Sequence, residues 1–180
     1  MVRLFALRHA ERAPDDPTFD SPLLPEGHAT ADALASSASC PRFTHVYTSP
    51  FLRCLQTIAP LCAQWPTTSI RVEHALYEYM RADAGHDPAT WRRTWTPGQC
   101  AALDEHIDRA YTSWWPLASL EYGETEAVMR ARATAFRAHL ADVHGPDDVV
   151  LLVTHLSVVN ALRSQPDEAA CPMGTLVELV

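Results

Sequence analysis

The sequence of 180 residues contains no lysine, so all 14 of its Lys+Arg residues are arginines. This absence excludes enzymes that form a Schiff base on a lysine, and it excludes nucleotide-binding loops in which a lysine contacts the phosphates. Anion recognition must therefore rely on arginine, whose planar guanidinium stays protonated at biological pH and binds phosphate or carboxylate through paired hydrogen bonds.

Positive charge and long apolar segments are also scarce. The formal net charge is -8, and an acidic chain lacks the extended basic face that nucleic acids and anionic membranes require. No segment is apolar for long enough to span a membrane, and the apolar N-terminal run is too short and too soon charged to be a secretory signal. We therefore expect a cytoplasmic protein that binds neither nucleic acid nor membrane.

The five cysteines form no C-x-x-C pair, and their odd number does not suggest a disulfide framework or a cysteine zinc site. We interpret them as reduced thiols. The composition, 47% hydrophobic and 20% charged, is typical of a globular domain. A chain of this length buries roughly 70% of its unfolded surface in one core, so we predict a single domain over residues 1–180.

Short β-prone runs alternate with segments of helical spacing. Strands are predicted at residues 2–7, 45–48, 69–73, 149–153 and 175–180, and helices at residues 25–38, 51–64, 124–143 and 158–162. Pro60 is expected to end or kink the second helix, and the apolar face of the third is expected to consist of Val128, Ala131, Ala135, Phe136 and Leu140. This alternation predicts an α/β fold, a three-layer α/β/α sandwich with a mostly parallel sheet and helices on both faces.

Residues 80–120 do not follow this alternation. They contain four tryptophans among arginines and prolines, and we interpret them as a helical cap inserted into the domain. The tryptophans are expected to pack inside this small cap.

Three of the predicted strands lead into residues that suit an anion site. Arg8 and His9 follow the first strand, Arg53 lies just past the second, and His155 follows the fourth. Because ligands gather at the carboxyl ends of parallel strands, these side chains are expected to converge. Two imidazoles and at least two guanidiniums form a pocket for a dianion such as a phosphate monoester, and a nearby helix N-terminus adds backbone N–H groups.

The motifs around these residues resemble those of the histidine phosphatase (phosphoglycerate mutase-like) superfamily. An arginine-histidine-alanine run at residues 8–10 is similar to the family's arginine-histidine-glycine. Four further segments match in family order: residues 22–28 (proline-leucine, then glycine), 49–57 (serine-proline, arginine, glutamine-threonine), 123–125 (glycine-glutamate-threonine) and 153–155 (the second histidine). Residues 8–12, 53–57 and 70–73 look most like the branch that contains the Sts (UBASH3) tyrosine phosphatases.

The resemblance implies a phosphatase in which His9 attacks phosphorus and forms a phosphohistidine. Glu78 would protonate the leaving oxygen and later activate the hydrolytic water. The phosphate oxygens would be neutralised by Arg8, Arg53, His155 and Arg12, the last being the second arginine of the branch's first motif. No metal or cofactor is needed for this chemistry, because the cations of the pocket carry the neutralisation.

Alternatives remain open for several assignments. Glu73 and Glu124 compete with Glu78 for the role of proton donor, and Glu124 is also explained as a charge that stabilises a helix N-terminus. Ala10 replaces the family glycine, and Leu156 replaces the small residue that usually follows the second histidine. Whether these two substitutions reduce the phosphatase activity is left open by the sequence. Mutase-type phosphoryl transfer and a weakly catalytic phospho-ligand-binding module are the alternative functions.

The expected substrate is a phosphorylated small molecule or a phosphoprotein, and nothing in the sequence indicates an oligomeric state. The remaining histidines are expected to be surface residues or to bond locally: His28, His45, His74, His86, His106, His139 and His144. A zinc site formed by them is the weakest alternative, because no helix carries a His-x-x-x-His pair and the arginines would repel a cation.

Overall fold

The computed structural model describes residues 1–65, 67–83, 87–89, 91–167 and 169–179. In these ranges one sheet contains five strands: β1 (Arg3–Arg8), β2 (His45–Thr48), β3 (Ile70–Val72), β4 (Val149–Thr154) and β5 (Leu176–Leu179). Their spatial order is β3-β2-β4-β1-β5. All neighbours are parallel except β5, which runs antiparallel to β1. The prediction of a mostly parallel sheet is confirmed. Val180, the predicted end of the last strand, and His86, one of the histidines expected at the surface, lie outside the described residues.

Helices cover both faces of the sheet, as the sequence predicts. They are α1 (Pro25–Ala35), α2 (Leu52–Gln64), α3 (Glu126–Val143) and α4 (Leu156–Leu162). The buried run of β4 alternates between two hydrophobic clusters: Leu151 and Val153 pack in the cluster of α2, and Val150 and Leu152 pack in the cluster of α3 and α4. A strand buried on both faces therefore lies at the centre of a three-layer sandwich.

The register of the strands brings their carboxyl ends to one level. Arg8 pairs with Thr154, and Thr48 pairs with Val153. The backbone N–H of His9 donates to the Thr154 carbonyl at 2.9 Å, and that of Ser49 donates to the Val153 carbonyl at 2.9 Å. The residues that follow β1, β2 and β4 consequently leave the sheet side by side.

Helices α2 and α3 differ in part from the expectations. Helix α2 does not end at Pro60 but continues to Gln64, so a helix end at this proline is wrong. In α3 the inward face consists of Met129, Arg132, Ala133, Phe136 and Leu140, whereas Val128 is 45% exposed and Ala131 and Ala135 are exposed as well. The predicted apolar face of α3 is therefore wrong at three of its five residues. A hydrophobic pattern places arginines outside, but Arg132 lies on the inward face because it forms a buried ion pair with Glu124.

The expected helical cap at residues 80–120 is also wrong for the described residues. They form loops, turns and two 3₁₀ turns, Ala101–Leu103 and Leu117–Ser119. Prolines at 88, 97 and 116 disfavour a helix, and Gly98 adopts a φ of 86°. Residues 111–115 are held in place by the buried Glu73 carboxylate instead of by helical hydrogen bonds. This carboxylate accepts hydrogen bonds from Tyr111 Oη, Ser113 Oγ and the backbone N–H groups of Trp114 and Trp115.

Within the described ranges, no helix combines the length and the hydropathy needed to cross a membrane.

Candidate active site

His9 is the first residue after β1, and its ring is held in one tautomer. Its Nδ1 lies 2.8 Å from the Ala10 carbonyl oxygen. Because a carbonyl can only accept, Nδ1 carries the hydrogen and Nε2 keeps its lone pair. Burial, together with the positive charge of Arg53, lowers the pKa of His9 well below its ordinary value of 6.5. His9 is therefore a neutral imidazole with a free nucleophilic nitrogen.

Ala10 adopts its place without backbone strain. Among the described non-glycine residues, positive φ is found at Ser164, and Ala10 is not in the left-handed region. The Ala10 N–H donates to Thr57 Oγ1 at 2.9 Å, which ties the loop after β1 to α2. The alanine is therefore compatible with the loop geometry at this position.

Arg53 is fully buried near the start of α2. Its Nη1 donates to the Thr18 carbonyl at 2.8 Å, and its Nη2 donates to Glu78 Oε2 at 3.2 Å. The guanidinium carbon lies 4.4 Å from the centre of the Phe51 ring. A carbonyl, a carboxylate and an aromatic face thus fix the orientation of this cation.

His155 follows β4 and lies beside His9, with 5.4 Å between the ring centroids. Its Nδ1 is 3.0 Å from Glu78 Oε2, and its Nε2 is 2.9 Å from Ser49 Oγ. Burial lowers the pKa of His155 to about 4, although the Glu78 charge opposes this shift. The neutral ring therefore donates from Nδ1 to the carboxylate and accepts the Ser49 hydroxyl at Nε2.

Glu78 lies in the segment that follows β3, and it is ionised in this arrangement. Burial raises the pKa of the Glu78 carboxyl, but His155, its hydrogen bond and the charge of Arg53 outweigh burial and lower the pKa well below 4.5. One carboxylate oxygen thus accepts from both a guanidinium and an imidazole. Glu78 contacts His155 directly, and one of its carboxylate oxygens lies within 4.8 Å of a ring nitrogen of His9.

The two competing glutamates are engaged elsewhere. Glu73 is fully buried and accepts hydrogen bonds from the segment at residues 111–115. Glu124 is bound to Arg132 at 2.7 Å and accepts the Met80 N–H at 3.1 Å. It does not cap α3, because the side chain of Thr125 holds that position. The geometry therefore favours Glu78 as the acid.

Arg8 and Arg12 bring further positive charge to this rim. Arg8 Nη1 donates to the Cys171 carbonyl at 2.5 Å, and Arg12 Nη1 donates to the Asp16 carbonyl at 2.9 Å. Burial, followed by the charge of Arg53 and more weakly that of Arg8, lowers the pKa of Arg12, which places the three cations within electrostatic reach.

Each of these three arginines keeps an unused hydrogen-bond donor. The Nε atoms of Arg8, Arg12 and Arg53 are buried and have no partner in the described structure. A buried donor left unpaired costs about 1–3 kcal/mol. The concentration of three guanidinium charges at this rim, rather than these buried Nε atoms, makes the cluster suited to an oxyanion.

Gly27 sets the position of the loop that carries Arg12. The Leu24 N–H donates to the Glu11 carbonyl at 2.9 Å, and Arg12 forms a β-bridge with Leu23. A Cβ on Gly27 would lie 2.3 Å from the Glu11 oxygen, which no side chain tolerates. The glycine of the second sequence motif is therefore required by this close approach.

Sequence reasoning missed several residues that support the site. Ser49 and Thr57 lie inside a recognised motif, but their contacts to His155 and Ala10 were not foreseen. The Thr18 carbonyl that binds Arg53 is a backbone atom in a proline-rich loop and leaves no side-chain signal.

The pair of Arg132 and Glu124 was missed as well. Arg132 Nη1 donates to the carbonyls of Ala75 and Tyr77 at 2.8 and 3.1 Å, while Glu124 accepts the N–H of Met80. This buried ion pair therefore fixes the backbone on both sides of Glu78.

His9, Glu78 and His155 also satisfy the distance criterion for a metal site, since one ligand atom from each lies within 4.8 Å of the others. Arg53 binds the same Glu78 oxygen at 3.2 Å. This fixed cation disfavours a metal ion there and favours an anion.

The family profile described as histidine phosphatase superfamily (branch 1) matches residues 4–169. Over 125 residues, 67% of the chain, the sequence is 29% identical to ubiquitin-associated and SH3 domain-containing protein B of Homo sapiens, and the match covers 19% of that protein. The chain thus spans about a fifth of the length of this relative, and the similarity agrees with the resemblance to the Sts (UBASH3) branch.

Solved structures show the same fold. The ecdysone phosphate phosphatase from Bombix mori in complex with tungstate superposes with a TM-score of 0.72 at 20% identity, over 99% of this chain and 88% of that one. A mycobacterial glucosyl-3-phosphoglycerate phosphatase gives a TM-score of 0.65 at 20% identity, over 98% and 88% of the two chains. The profile match runs from β1 to beyond α4 and contains His9, Arg53, Glu78 and His155, and the chain therefore belongs to branch 1 of the histidine phosphatase superfamily.

Proposed function

We propose that the protein hydrolyses phosphate monoesters through a phosphohistidine on His9. The observation that carries the proposal is the bond from His9 Nδ1 to the Ala10 carbonyl, since it leaves a lone pair on Nε2 of a buried, neutral ring. The adjacent donors of Arg53 and His155 supply the environment in which charge on the phosphate oxygens is stabilised.

In the first step the lone pair of His9 Nε2 forms a bond to phosphorus as the ester P–O bond breaks. The departing oxygen takes a proton from Glu78. Glu78 must be protonated for this step, although its pKa is low in the structure. A phosphate dianion that binds Arg53 and His155 offsets the charges that lower this pKa, so substrate binding raises it.

In the second step a water oxygen forms a bond to phosphorus and the P–N bond breaks, which restores neutral His9. Glu78, now a carboxylate, accepts a proton from the water and is ready for the next cycle. The guanidiniums of Arg8, Arg12 and Arg53 bind the phosphate oxygens in both steps. No step uses a metal ion or an organic cofactor.

The substrate class is a phosphorylated small molecule or a phosphoprotein. A cavity of about 280 Å³ shares Thr18 and Phe51 with the surroundings of Arg53, and Phe19 and Trp91 add aromatic walls to it. Asp20, Asp87 and Arg93 complete the lining, so this surface suits a leaving group that combines a flat apolar part with polar groups. The five free thiols suit a reducing compartment, and we place the reaction in the cytoplasm.

The proposal is tested by trapping the intermediate. The protein is mixed with radiolabelled para-nitrophenyl phosphate and quenched in alkali, and we expect protein-bound label that is stable in base and released by acid. His9→Ala should lose both the label and the turnover, whereas His28→Ala, which changes an exposed side chain on α1, should keep both.

Label or turnover that persists in His9→Ala would contradict the assignment of the nucleophile. A binding module would show phosphate affinity without turnover, and a mutase would isomerise monophosphoglycerate once primed with bisphosphoglycerate. Either result would overturn the proposed hydrolysis.

A further inference from the structure

A second group of histidines lies at the opposite end of the sheet from the active site. His45 is the first residue of β2, His144 follows α3, and Asp148 immediately precedes β4. The active-site residues follow the same strands, so the two groups are separated by the length of β2, roughly 10 Å at about 3.3 Å per residue. This second cluster is therefore distinct from the phosphate pocket.

The distances within this cluster are those of metal ligands. His45 Nδ1 lies 3.6 Å from Asp148 Oδ1, and His144 Nδ1 lies 3.4 Å from Asp148 Oδ2. One ligand atom from each of the three residues lies within 4.8 Å of the others. Nitrogen and oxygen ligands bound tetrahedrally at about 2.0–2.2 Å from zinc are about 3.3–3.6 Å apart. Each imidazole already lies near this distance from one of the two Asp148 oxygens, and side-chain rotation within the 4.8 Å cluster would bring all three ligands onto one ion.

The surroundings orient two of the ligands. Tyr47 Oη lies 3.0 Å from His144 Nε2 and accepts a hydrogen bond from Arg71 Nη1 at 2.8 Å. Metal-bound histidines commonly donate their second ring N–H to such an acceptor, and the phenol oxygen can take this hydrogen while Nδ1 faces the ion. Asp148 Oδ2 is held by the Gly145 N–H at 2.8 Å.

His45 is held less tightly. Thr44 Oγ1 lies 2.9 Å from His45 Nδ1 and 3.5 Å from Asp148 Oδ1, and a bound ion would replace these contacts. The side chains of His45 and Asp148 are 27% and 28% exposed, whereas that of His144 is 5% exposed. An ion can therefore enter from solvent and retain water as a further ligand.

Charges near the cluster act in both directions. Asp148 supplies a carboxylate, while Arg71 lies behind Tyr47 and reduces the attraction for a cation. Arg71 is in turn paired with Asp108 at 3.8 Å.

We propose that His45, His144 and Asp148 bind one divalent transition-metal ion, with zinc the best fit, and with water completing a tetrahedral site. Two imidazoles and one carboxylate are a ligand set that zinc accepts in proteins, whereas magnesium and calcium prefer oxygen ligands. The ion joins β2 to the turn between α3 and β4. Its consequence is greater stability of the fold, with no part in the phosphate chemistry.

The untagged chain of residues 1–180 is stripped with a chelator and titrated with zinc chloride by calorimetry, and its thermal unfolding is followed with and without zinc. We expect one ion per chain at this site and a higher unfolding temperature. His45→Ala and Asp148→Asn should remove both effects, while His28→Ala, an exposed histidine outside the cluster, should retain them. Both informative variants change partly exposed side chains, so they are expected to fold.

Repeating the titration in His9→Ala distinguishes zinc bound at the proposed site from zinc bound by His9, Glu78 and His155. The site at His45 must persist in that variant, and X-ray absorption should show two imidazoles and oxygen around the metal. The absence of zinc binding, or unchanged binding in both His45→Ala and Asp148→Asn, would overturn the proposal. This test does not depend on phosphatase activity.

Discussion

Glu78 Oε2 accepts a hydrogen bond from His155 Nδ1 at 3.0 Å, and so the carboxylate and the second histidine form one unit. Arg53 donates to the same oxygen at 3.2 Å. These are donors that the proposed mechanism assigns to phosphate, so Glu78 competes with a phosphate group for them. Once phosphate takes these donors, the pKa of the displaced carboxyl rises and Glu78 becomes a proton donor. In the proposed mechanism the substrate itself therefore converts Glu78 into its acid form.

Replacing Glu78 by glutamine should slow the reaction in a way that depends on the leaving group. An alkyl phosphate needs a proton on its departing oxygen, so we expect kcat to fall about 10²–10³-fold in Glu78→Gln. The para-nitrophenolate ion leaves without protonation, and its ester should lose no more than about tenfold. Initial rates for the two esters measure the difference, with the exposed Glu26→Gln as control. Equal losses for both esters would show that Glu78 is not the acid.

Arg132 and Glu124 are predicted to influence the same step through the backbone. Arg132 binds the Tyr77 carbonyl and Glu124 binds the Met80 N–H, on either side of Glu78. We expect Glu124→Gln to lower kcat with little change in KM, and to weaken the dependence of rate on the leaving group. Because breaking a buried ion pair costs about 3–5 kcal/mol, stability will fall as well.

A double variant separates positioning from stability. Apolar replacements of a buried ion pair are often neutral for folding, so Glu124→Leu combined with Arg132→Met should regain much of the lost stability. It cannot regain the hydrogen bonds to Tyr77 and Met80, so the defect with alkyl phosphates should remain. If the folded double variant shows the same dependence of kcat on the leaving group as the wild type, the ion pair has only a structural role.

The sequence predicts the main features of the pocket because apolar runs locate strand ends. The unbroken run of β4 places His155 at the carboxyl edge, and the run of β1 places His9 there. Parallel pairing then brings the two rings together without any information about side-chain packing. Glu78 was found only through the family resemblance, since no local pattern distinguishes it from Glu73 or Glu124.

What the sequence does not predict depends on polar contacts between distant residues. Arg132 is buried in α3 because Glu124 and two carbonyls satisfy it, and a hydrophobic pattern cannot show this. The part of the expected cap at residues 111–115 is held by hydrogen bonds to the Glu73 carboxylate rather than by a helix. The metal cluster joins residues about a hundred positions apart, which meet because His45 pairs with Val150 across β2 and β4.

Arg12 is predicted to bind phosphate through a charge-assisted hydrogen bond. Such a bond contributes about 1.5–3 kcal/mol, so Arg12→Gln should lower kcat/KM for para-nitrophenyl phosphate about 10–100-fold and weaken inhibition by inorganic phosphate. Arg12→Lys keeps the charge and should recover part of the loss. The exposed Arg42→Gln is the matched control. If Arg12→Gln and Arg42→Gln behave alike, Arg12 serves only to hold the loop through the carbonyls of Ala13 and Asp16.

The stability of the fold should fall with acid because the active-site histidines are buried without a proton. Burial lowers the pKa of His155 to about 4, below its ordinary value of 6.5. Between these two values the unfolded chain binds a proton that the folded chain excludes, so acidification favours unfolding. The stabilisation is complete above pH 6.5 and is lost as the pH falls toward 4, by up to about 1.4 kcal/mol per pH unit for each such histidine.

Urea unfolding of wild type and His155→Gln across this pH range isolates the contribution of His155. His9, His45, His74 and His144 also have lowered pKa values and add to the total slope, but they remain in both proteins. The variant should therefore lose stability less steeply as the solution is acidified. Parallel curves would mean that His155 is protonated in the folded protein, and its bond to Glu78 would then be an ion pair between two charged groups.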